Sequence, residues 1–324
     1  MQTLPLVSIA LCTYNGAAHL KEQLLSILNQ RYKNIEVVVV DDASTDDSWS
    51  IAKSLLTDPA LKGPQVRLYQ NERNLGYSKN FERAISLCNG EFIALSDQDD
   101  IWNVEKVEKM VAAIGSHSLI YHDSAYIDEA GNSLHKYTSD RFHMYQGHGA
   151  RALLLENCVS GHTCMFHEKI RNYILPIPAG VFHDWWIAYQ SATFGSIVYL
   201  PEPLVKYRRH AENVTFTGEK FGRKAQRVLK LSQKRERAIN EAIRLKACAD
   251  FGKNPDRDFV RKLHDVLKGR IDHWLNFRAF ILLSLHRQEL FSVSKKAAKR
   301  PLSFVFDRYF LGLKLKAYWY RLIS

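Results

Sequence analysis

The sequence has no apolar run of the ~18–20 residues needed to span a bilayer. The nearest, Trp274 to Leu285, is interrupted by Asn276 and Arg278. Cysteine is scarce, with five in 324 residues at Cys12, Cys88, Cys158, Cys164 and Cys248. An odd, scattered set makes no disulfide framework and fits reduced thiols of a cytoplasmic protein. The opening residues, MQTLPLVSIALCTYNG, lack a basic stretch and pass straight into a strand pattern, so no secretory signal is expected. There is no internal repeat and no low-complexity tract. Acidic residues are scarce only in the last third. Residues 1–205 hold 16 Lys and Arg against 23 Asp and Glu, whereas residues 206–324 hold 29 against 11. The net charge of +11 is therefore the sum of an acidic unit and a strongly basic one. With 46% apolar residues there is ample material for packed cores, which excludes a disordered chain or a disulfide-stapled miniprotein.

The pattern of what is present predicts an α/β class. Val7–Thr13 reads as a buried strand ending in a Tyr14-Asn15-Gly16 turn, and Ala18–Asn29 has helical spacing. Ile35–Val40 is continuous and β-branched, as in a central parallel strand covered on both faces. The following residues 41–46 are rich in helix N-cap types, and a helix through about Leu56 is expected. A strand at Val66–Gln70, a helix at Tyr77–Cys88 and a strand at Glu91–Ser96 continue the alternation of a doubly wound sheet. Beyond this the pattern predicts a helix at Val104–Ile114, a strand at Ser118–His122 and a turn at 128–132. A helix at Asp184–Phe194 and two short strands, Ile197–Leu200 and Leu204–Tyr207, follow. After His210 the sequence predicts long basic helices over about 221–249, 257–291 and 304–323. Two domains are expected, 1–210 and 211–324.

In a parallel α/β sheet, ligands bind beyond the carboxyl ends of the strands. That rule selects Thr13-Tyr14-Asn15-Gly16, Asp41-Asp42 and Asp97-Gln98-Asp99-Asp100. None of these segments carries GxGxxG or GxxxxGK[ST], which counts against dinucleotide and P-loop chemistry. They carry carboxylates instead. Three acids in four positions repel one another, and a divalent cation relieves that repulsion, while the bland alternative is a loop of helix-capping aspartates. Oxygen ligands suit Mg2+ or Mn2+. A zinc reading of Cys158, His162, Cys164 and His167 fares worse, because C-x3-H-x-C-x2-H matches no common finger.

The ordered strings VSIALCTYNG, VVVVDDASTD, NLGYSKNFERAI and GEFIALSDQDDIW, followed by NCVSGHTCMF, LPIP, HDWW and EPLVKYRRH, resemble the family 2 glycosyltransferases, in their rhamnosyltransferase-like branch. The resemblance covers about residues 5–210. It implies a GT-A fold, a Rossmann-like doubly wound mixed sheet, here followed by a basic α-helical C-terminal region. It also implies that Thr13, Tyr14 and Asn15 lie along a nucleotide and that Asp42 accepts the imide N–H of a uracil or thymine. Asn74, Gly76 and Asn80 would shape that pocket. Asp97 would lie near ribose or diphosphate, Asp99 would be the metal ligand, and His210 would stand near metal and diphosphate. Asp184 matches the catalytic base. One departure is His183, where many relatives have Glu.

Leaving-group chemistry agrees with these roles. A departing diphosphate needs cationic stabilisation, from Mg2+ or Mn2+ at Asp99 and from Arg208 or Arg209. The acceptor hydroxyl needs a base, and one base with in-line attack gives inversion at the anomeric carbon. Trp185 and Trp186 are candidates for stacking on a sugar face or for the core, and His162 for the acceptor side. The donor implied by the resemblance is dTDP-rhamnose or a UDP-sugar, and the acceptor a glycan or lipid-linked oligosaccharide of the cell surface. Without spanning helices or a Q-x-x-R-W motif, the expected enzyme is non-processive. A non-catalytic sugar-nucleotide or glycan-binding adaptor on the same fold stays open beside it. For the basic region the readings are a solvated face packed on the first domain, or an anionic membrane surface met by Lys and Arg together with Trp274, Phe277, Phe280, Tyr309, Phe310, Tyr318, Trp319 and Tyr320. Nucleic acid is disfavoured, since no stacking motif interleaves the basic stretches.

Overall fold

The computed structural model describes residues 4–56, 64–209 and 223–315. Its chain forms two compact units. One comprises Met1–Ala150, Cys158–Ile177 and Phe182–Asn213, and the other Arg151–Asn157, Pro178–Val181 and Val214–Ser324.

The first unit is built on a mixed sheet of ten strands. These are β1 (Val7–Thr13), β2 (Ile35–Asp41), β3 (Gln65–Gln70), β4 (Phe92–Ser96), β5 (Ile101–Trp102), β6 (Leu119–Ile127), β7 (Ser133–Tyr137), β8 (Gly147–His148), β9 (Cys164–His167) and β10 (Ser196–Arg208). Their order is β3-β2-β1-β4-β9-β6-β10-β5, with β7 paired to β6 and β8 to β10. β1 lies between β2 and β4, parallel to both, and β9 runs antiparallel between β4 and β6. All residues of β1, β2 and β4 are buried, as continuous apolar runs require when helices cover both faces. The helices are α1 (Ala17–Leu28), α2 (Ser48–Leu56), α3 (Tyr77–Leu87), α4 (Lys106–Ile114), the short α5 (Arg171–Ile174) and α6 (His183–Phe194). Leu20, Leu24 and Ile27 of α1 pack with Val7, Ile9, Val37 and Val39, so the 3.6-residue stripe meets the sheet face.

Two short strands were expected where β10 runs unbroken for 13 residues. Its pairing with β6 shifts register around Pro203, next to Pro201, because a proline offers no N–H to the ladder and bulges it.

In the second unit, α7 (Arg223–Asp250) packs on α8 (Arg257–Lys268), and α9 (Phe277–Leu285), α10 (Arg287–Leu290), α11 (Lys295–Lys299) and α12 (Pro301–Val305) follow. The long helix expected over 257–291 breaks after Lys268 into a short turn at Gly269, and α9 restarts where Asn276 Oδ1 accepts the Ala279 N–H (2.9 Å). The third expected helix is α12 and a π-turn at Phe306–Phe310. Phe221, Tyr318, Trp319 and Tyr320 lie outside the described residues. On α7 the buried line runs through Ala238, Glu241, Leu245 and Cys248, while Ile239 is 42% exposed. Glu241 is drawn inside by ion pairs to Arg270 (2.8 Å) and Arg308 (3.0 Å). Among the described residues no helix is long and apolar enough to cross a membrane.

Candidate active site

The chain runs outward in both directions from β1, which makes the β1–β4 boundary the switch point of the sheet. At its carboxyl edge the loops after β1, β2 and β4 meet. Gln98 bridges them: its Oε1 accepts from Thr13 Oγ1 (2.8 Å) and from the Tyr14 N–H (2.7 Å), and its Nε2 donates to Tyr14 O (3.2 Å). A Cβ on Gly16 would lie 2.3 Å from Gln98 Oε1, so only glycine allows this approach. Asn15, held at φ 48°, donates its N–H to Ser44 Oγ (3.0 Å) and accepts from the Thr45 N–H (2.8 Å). Asp46 caps α1 from the neighbouring loop, accepting the Ala17 N–H (3.0 Å), and accepts the Ser48 N–H (2.9 Å) at the start of α2.

Asp42 is buried and already employed. It accepts from Asn71 Nδ2 (2.6 Å) and from the Leu75 (2.8 Å) and Gly76 (2.9 Å) amides. Asn80 donates to Val40 O (3.0 Å) and accepts from Asn71 (2.9 Å), joining the same network. Asn74 accepts the Gly76 N–H at 3.0 Å. These residues fix the loop after β3 against the end of β2.

The acidic loop after β4 faces His162. His162 Nδ1 lies 3.7 Å from Asp97 Oδ2 and 4.0 Å from Asp100 Oδ2, while its Nε2 meets Ser124 Oγ at 2.8 Å. Its ring stacks on Tyr207 at 4.5 Å and 3°. Beneath the loop Lys106 is fully buried, donating to His162 O (2.6 Å) with its Nζ 3.3 Å from the centre of the Trp102 ring. Burial pulls this amine well below an ordinary lysine pKa. Burial, together with the Asp99 and Asp97 charges, raises the Asp100 carboxyl despite the opposing pull of His162. Burial works against the His162 cation, yet the Asp100 and Asp97 charges raise its pKa.

One ligand atom each from Asp97, Asp100 and His162 lies within 4.8 Å of the others. Asp100 Oδ2 is buried without a hydrogen-bond partner. Leaving such an oxygen unsatisfied costs ~1–3 kcal/mol or more, and a divalent cation satisfies it. The oxygen and imidazole donors fit Mn2+ or Mg2+. Asp99 is half-exposed beside this trio and not part of it, and its carbonyl accepts from Arg208 Nε at 3.0 Å. His210 lies outside the described residues.

Asp184 sits in the first turn of α6, half-buried, its Oδ1 accepting the Trp185 N–H (2.6 Å). Burial raises its pKa, the adjacent His183 opposes this, and the Asp97 charge adds to the rise. His183 stacks on Phe81 at 4.0 Å, and both its ring nitrogens are buried without partners. A Cβ on Gly161 would stand 3.0 Å from His183 Nε2 and 3.8 Å from Asp184 Cβ.

Other expectations are corrected. Trp185 and Trp186 are 1% exposed and stack with Tyr189, and Trp186 Nε1 donates to Ile174 O (2.8 Å), so both are core residues and neither offers a face to a sugar. Arg208 is 2% exposed, and its guanidinium is spent on Glu22 (2.6 Å) and on the Asp99 and Glu129 (2.8 Å) carbonyls. It ties the acidic loop down and presents nothing to a diphosphate. Arg209 lies over the Tyr126 and Tyr207 rings, at 5.7 and 5.8 Å. Cys158 meets Tyr121 Oη at 3.3 Å, apart from the His162 cluster.

Comparison with known proteins decides the family. The glycosyl transferase family 2 model matches residues 8–174, over half of the chain. The chain belongs to glycosyl transferase family 2. It is 27% identical over 234 residues to a glycosyltransferase of Haemophilus influenzae, covering 66% of this chain and 69% of that protein. It is 28% identical over 219 residues to a Mycobacterium tuberculosis protein, of which the match spans 60%, and 64% of this chain. Among solved structures, Staphylococcus aureus TarS 1-349 in complex with UDP-GlcNAc superposes with a TM-score of 0.57 at 16% identity, over 98% of this chain and 92% of that one. The Pyrobaculum calidifontis mannosyltransferase PcManGT, in complex with GDP-Man and Mn2+, gives 0.54 at 18% identity, over 100% and 89%. The fold is thus that of the GT-A glycosyltransferases.

Several residues of this candidate site escaped sequence reasoning. Gln98 is a neutral residue inside an acidic string, and Gly16 its counterpart 82 positions earlier; neither announces the bridge they form. Asp100 belongs to the acidic string, but the resemblance makes Asp99 the metal ligand, and Lys106 is not singled out. A lysine four residues after Trp102 in an apolar helix stripe was the available signal for burial.

Proposed function

We propose that the chain is a metal-dependent, inverting, non-processive glycosyltransferase. It moves a sugar from a nucleoside-diphosphate donor, dTDP-rhamnose or a UDP-sugar, to a glycan or lipid-linked acceptor of the cell surface. The observation that carries this reading is the convergence at one sheet edge of a raised carboxyl, Asp184, with the Asp97–Asp100–His162 cluster. Two solved relatives of the fold hold nucleotide-sugars, which supports a donor of that class.

In this reading Asp97, Asp100 and His162, with Asp99 beside them, would hold Mg2+ or Mn2+, which when bound supplies Lewis-acid stabilisation of the departing diphosphate; His210, given a role there by the sequence resemblance, lies outside the described residues. Thr13, Tyr14, Asn15, Asp42 and Asn80 shape the nucleotide pocket, and the Gln98 bridge keeps its first loop in register with the acidic loop. Asp184 takes the proton of the acceptor hydroxyl. Its raised pKa makes it a stronger base than a solvated aspartate. Arg209, over the Tyr126 and Tyr207 rings, is the second arginine the sequence offered for the diphosphate. The basic unit holds the enzyme on the cytoplasmic face of an anionic membrane, where a lipid-linked acceptor resides.

The test titrates UDP, dTDP and GDP calorimetrically with and without Mn2+, and follows released nucleoside diphosphate from the matching sugar donors. Binding that needs Mn2+, with Asp184→Asn retaining it while turnover falls by ~100-fold or more, supports the reading. No metal-dependent binding of any of the three refutes it, and unchanged turnover in Asp184→Asn removes the base.

A further inference from the structure

Among the described residues, the second unit carries an apolar face that no other element covers. On α9, Phe277, Ile281 and Leu285 recur every four residues and are 62%, 59% and 73% exposed, while Ala279, Leu282 and Leu283 on the opposite side are buried. A helix that has already buried one face has no folding reason to place three large apolar side chains on the other. The stripe continues sideways. The Phe277 ring meets Phe310 at 5.0 Å and the Phe280 ring meets Phe306 at 6.2 Å, so the exposed Phe306 and Leu302 belong to the same surface.

The charge around this face selects its occupant. Residues 268–315 hold ten Lys and Arg against three Asp and Glu. Arg278, Lys299 and Arg300 are exposed, directly beside Phe277 in sequence and just ahead of Leu302. A second copy of the chain would bring the same cations face to face across a two-fold contact. A polyanion such as RNA has no use for Ile281, Leu285 and Leu302. Apolar side chains bordered by Lys and Arg match the boundary between acyl chains and anionic headgroups.

We propose that this face docks on an anionic phospholipid bilayer, with Phe277, Ile281, Leu285 and Leu302 entering the acyl boundary and Arg278, Lys299 and Arg300 meeting headgroup phosphates. The proposal rests on the membrane attachment suggested above and assigns it to α9 and α12; Phe277, which the sequence already offered for the interface, is joined here by Ile281, Leu285 and Leu302.

The experiment is co-sedimentation of the full chain with vesicles of equal parts phosphatidylglycerol and phosphatidylcholine, and with vesicles of phosphatidylcholine alone. The wild type is expected to pellet with the anionic vesicles and to stay largely in solution with the neutral ones. Ile281→Ser/Leu285→Ser lowers the partition coefficient at least tenfold without changing the melting temperature, since both side chains are already solvated. Arg278→Glu/Arg300→Glu lowers anionic binding and weakens its salt dependence. Full binding by the serine variant overturns the assignment to this face while leaving membrane attachment standing. A wild type that ignores both vesicles overturns both. Sedimentation velocity supplies the remaining arm: a wild-type dimer that the serine variant dissociates makes the face a self-association surface and overturns the lipid proposal. Titration with UDP and Mn2+ on the same preparations keeps these outcomes separate from the fate of the donor site.

Discussion

Glu241 is the sharpest point at which the energetics of the basic unit can be tested. It is 2% exposed on α7 and accepts from Arg270 (2.8 Å) and Arg308 (3.0 Å), while Arg308 also pairs with Glu156. Arg270, Arg308 and the charge of Arg244 thus surround this carboxylate. Burial works against the Glu241 carboxylate, but Arg270 and Arg308 hold its pKa below the ordinary range, so it is charged at neutral pH. Glu241→Gln keeps the shape and one acceptor oxygen but strands Arg270, which is 4% exposed and has no other acidic partner among the described residues. Removing one member of a buried pair costs ~3–5 kcal/mol, and the surviving amide acceptor puts this case near ~3 kcal/mol. Denaturant unfolding of the full chain, with hydrogen exchange in α7 and α8 to localise the loss, measures it. Glu241→Gln/Arg270→Met should recover most of the deficit, because it removes the stranded cation as well. The sign with pH is fixed: a lowered carboxyl stabilises above its unfolded value of ~4.3 and loses that contribution as pH falls through its lower folded value. The gap between wild type and Glu241→Gln is therefore flat near neutrality and closes on acidification. A cost under ~1 kcal/mol at pH 7, the scale of an exposed pair, or a double variant no better than the single one, would refute the argument.

Two further predictions concern the first unit. Burial and the Asp97 charge raise the Asp184 carboxyl, so the acidic limb of kcat/KM for sugar transfer should lie above the ~3.9 of a free aspartate, with the rate climbing as pH rises through it; a limb at or below that value removes Asp184 as the base. Gly161→Ala forces a Cβ to 3.0 Å from His183 Nε2, and the shift passed to Asp184 should cost about tenfold in turnover with a near-normal melting temperature; unchanged turnover shows that His183 yields without moving its neighbour.

The parallel half of the sheet was legible because β1, β2 and β4 are buried on both faces and their sequences say so in unbroken apolar runs. The carboxyl-edge rule then selected the three loops that the fold brings together at the candidate site. What escaped depends on contacts distant in sequence. Trp185 and Trp186 carry the same letters whether they face a sugar or Tyr189, and only the packing of α6 decides. Arg208 reads as a free cation until Glu22, 186 positions away, claims it. In the basic unit the buried face of α7 includes Glu241, held by Arg270 and Arg308 from distant positions, while Ile239 is exposed, which helical spacing alone does not reveal. The helix expected over 257–291 failed at Gly269, where the chain turns before Asn276 caps the next helix.

The bridge from Gln98 to Thr13 and Tyr14 has a consequence for how this family can be recombined. The two loops that flank the switch point are fastened by a side chain that fits only because residue 16 has none of its own. Glutamate at 98 would keep the length but lose the donor to Tyr14 O and add a fourth anion, while any larger residue at 16 would occupy the space the amide needs. A chimera that keeps this chain's acidic loop but takes its first two strands from a relative therefore keeps this bridge only if residue 16 is still glycine. The smallest exchangeable piece of this enzyme is a matched pair of loops, not a single motif.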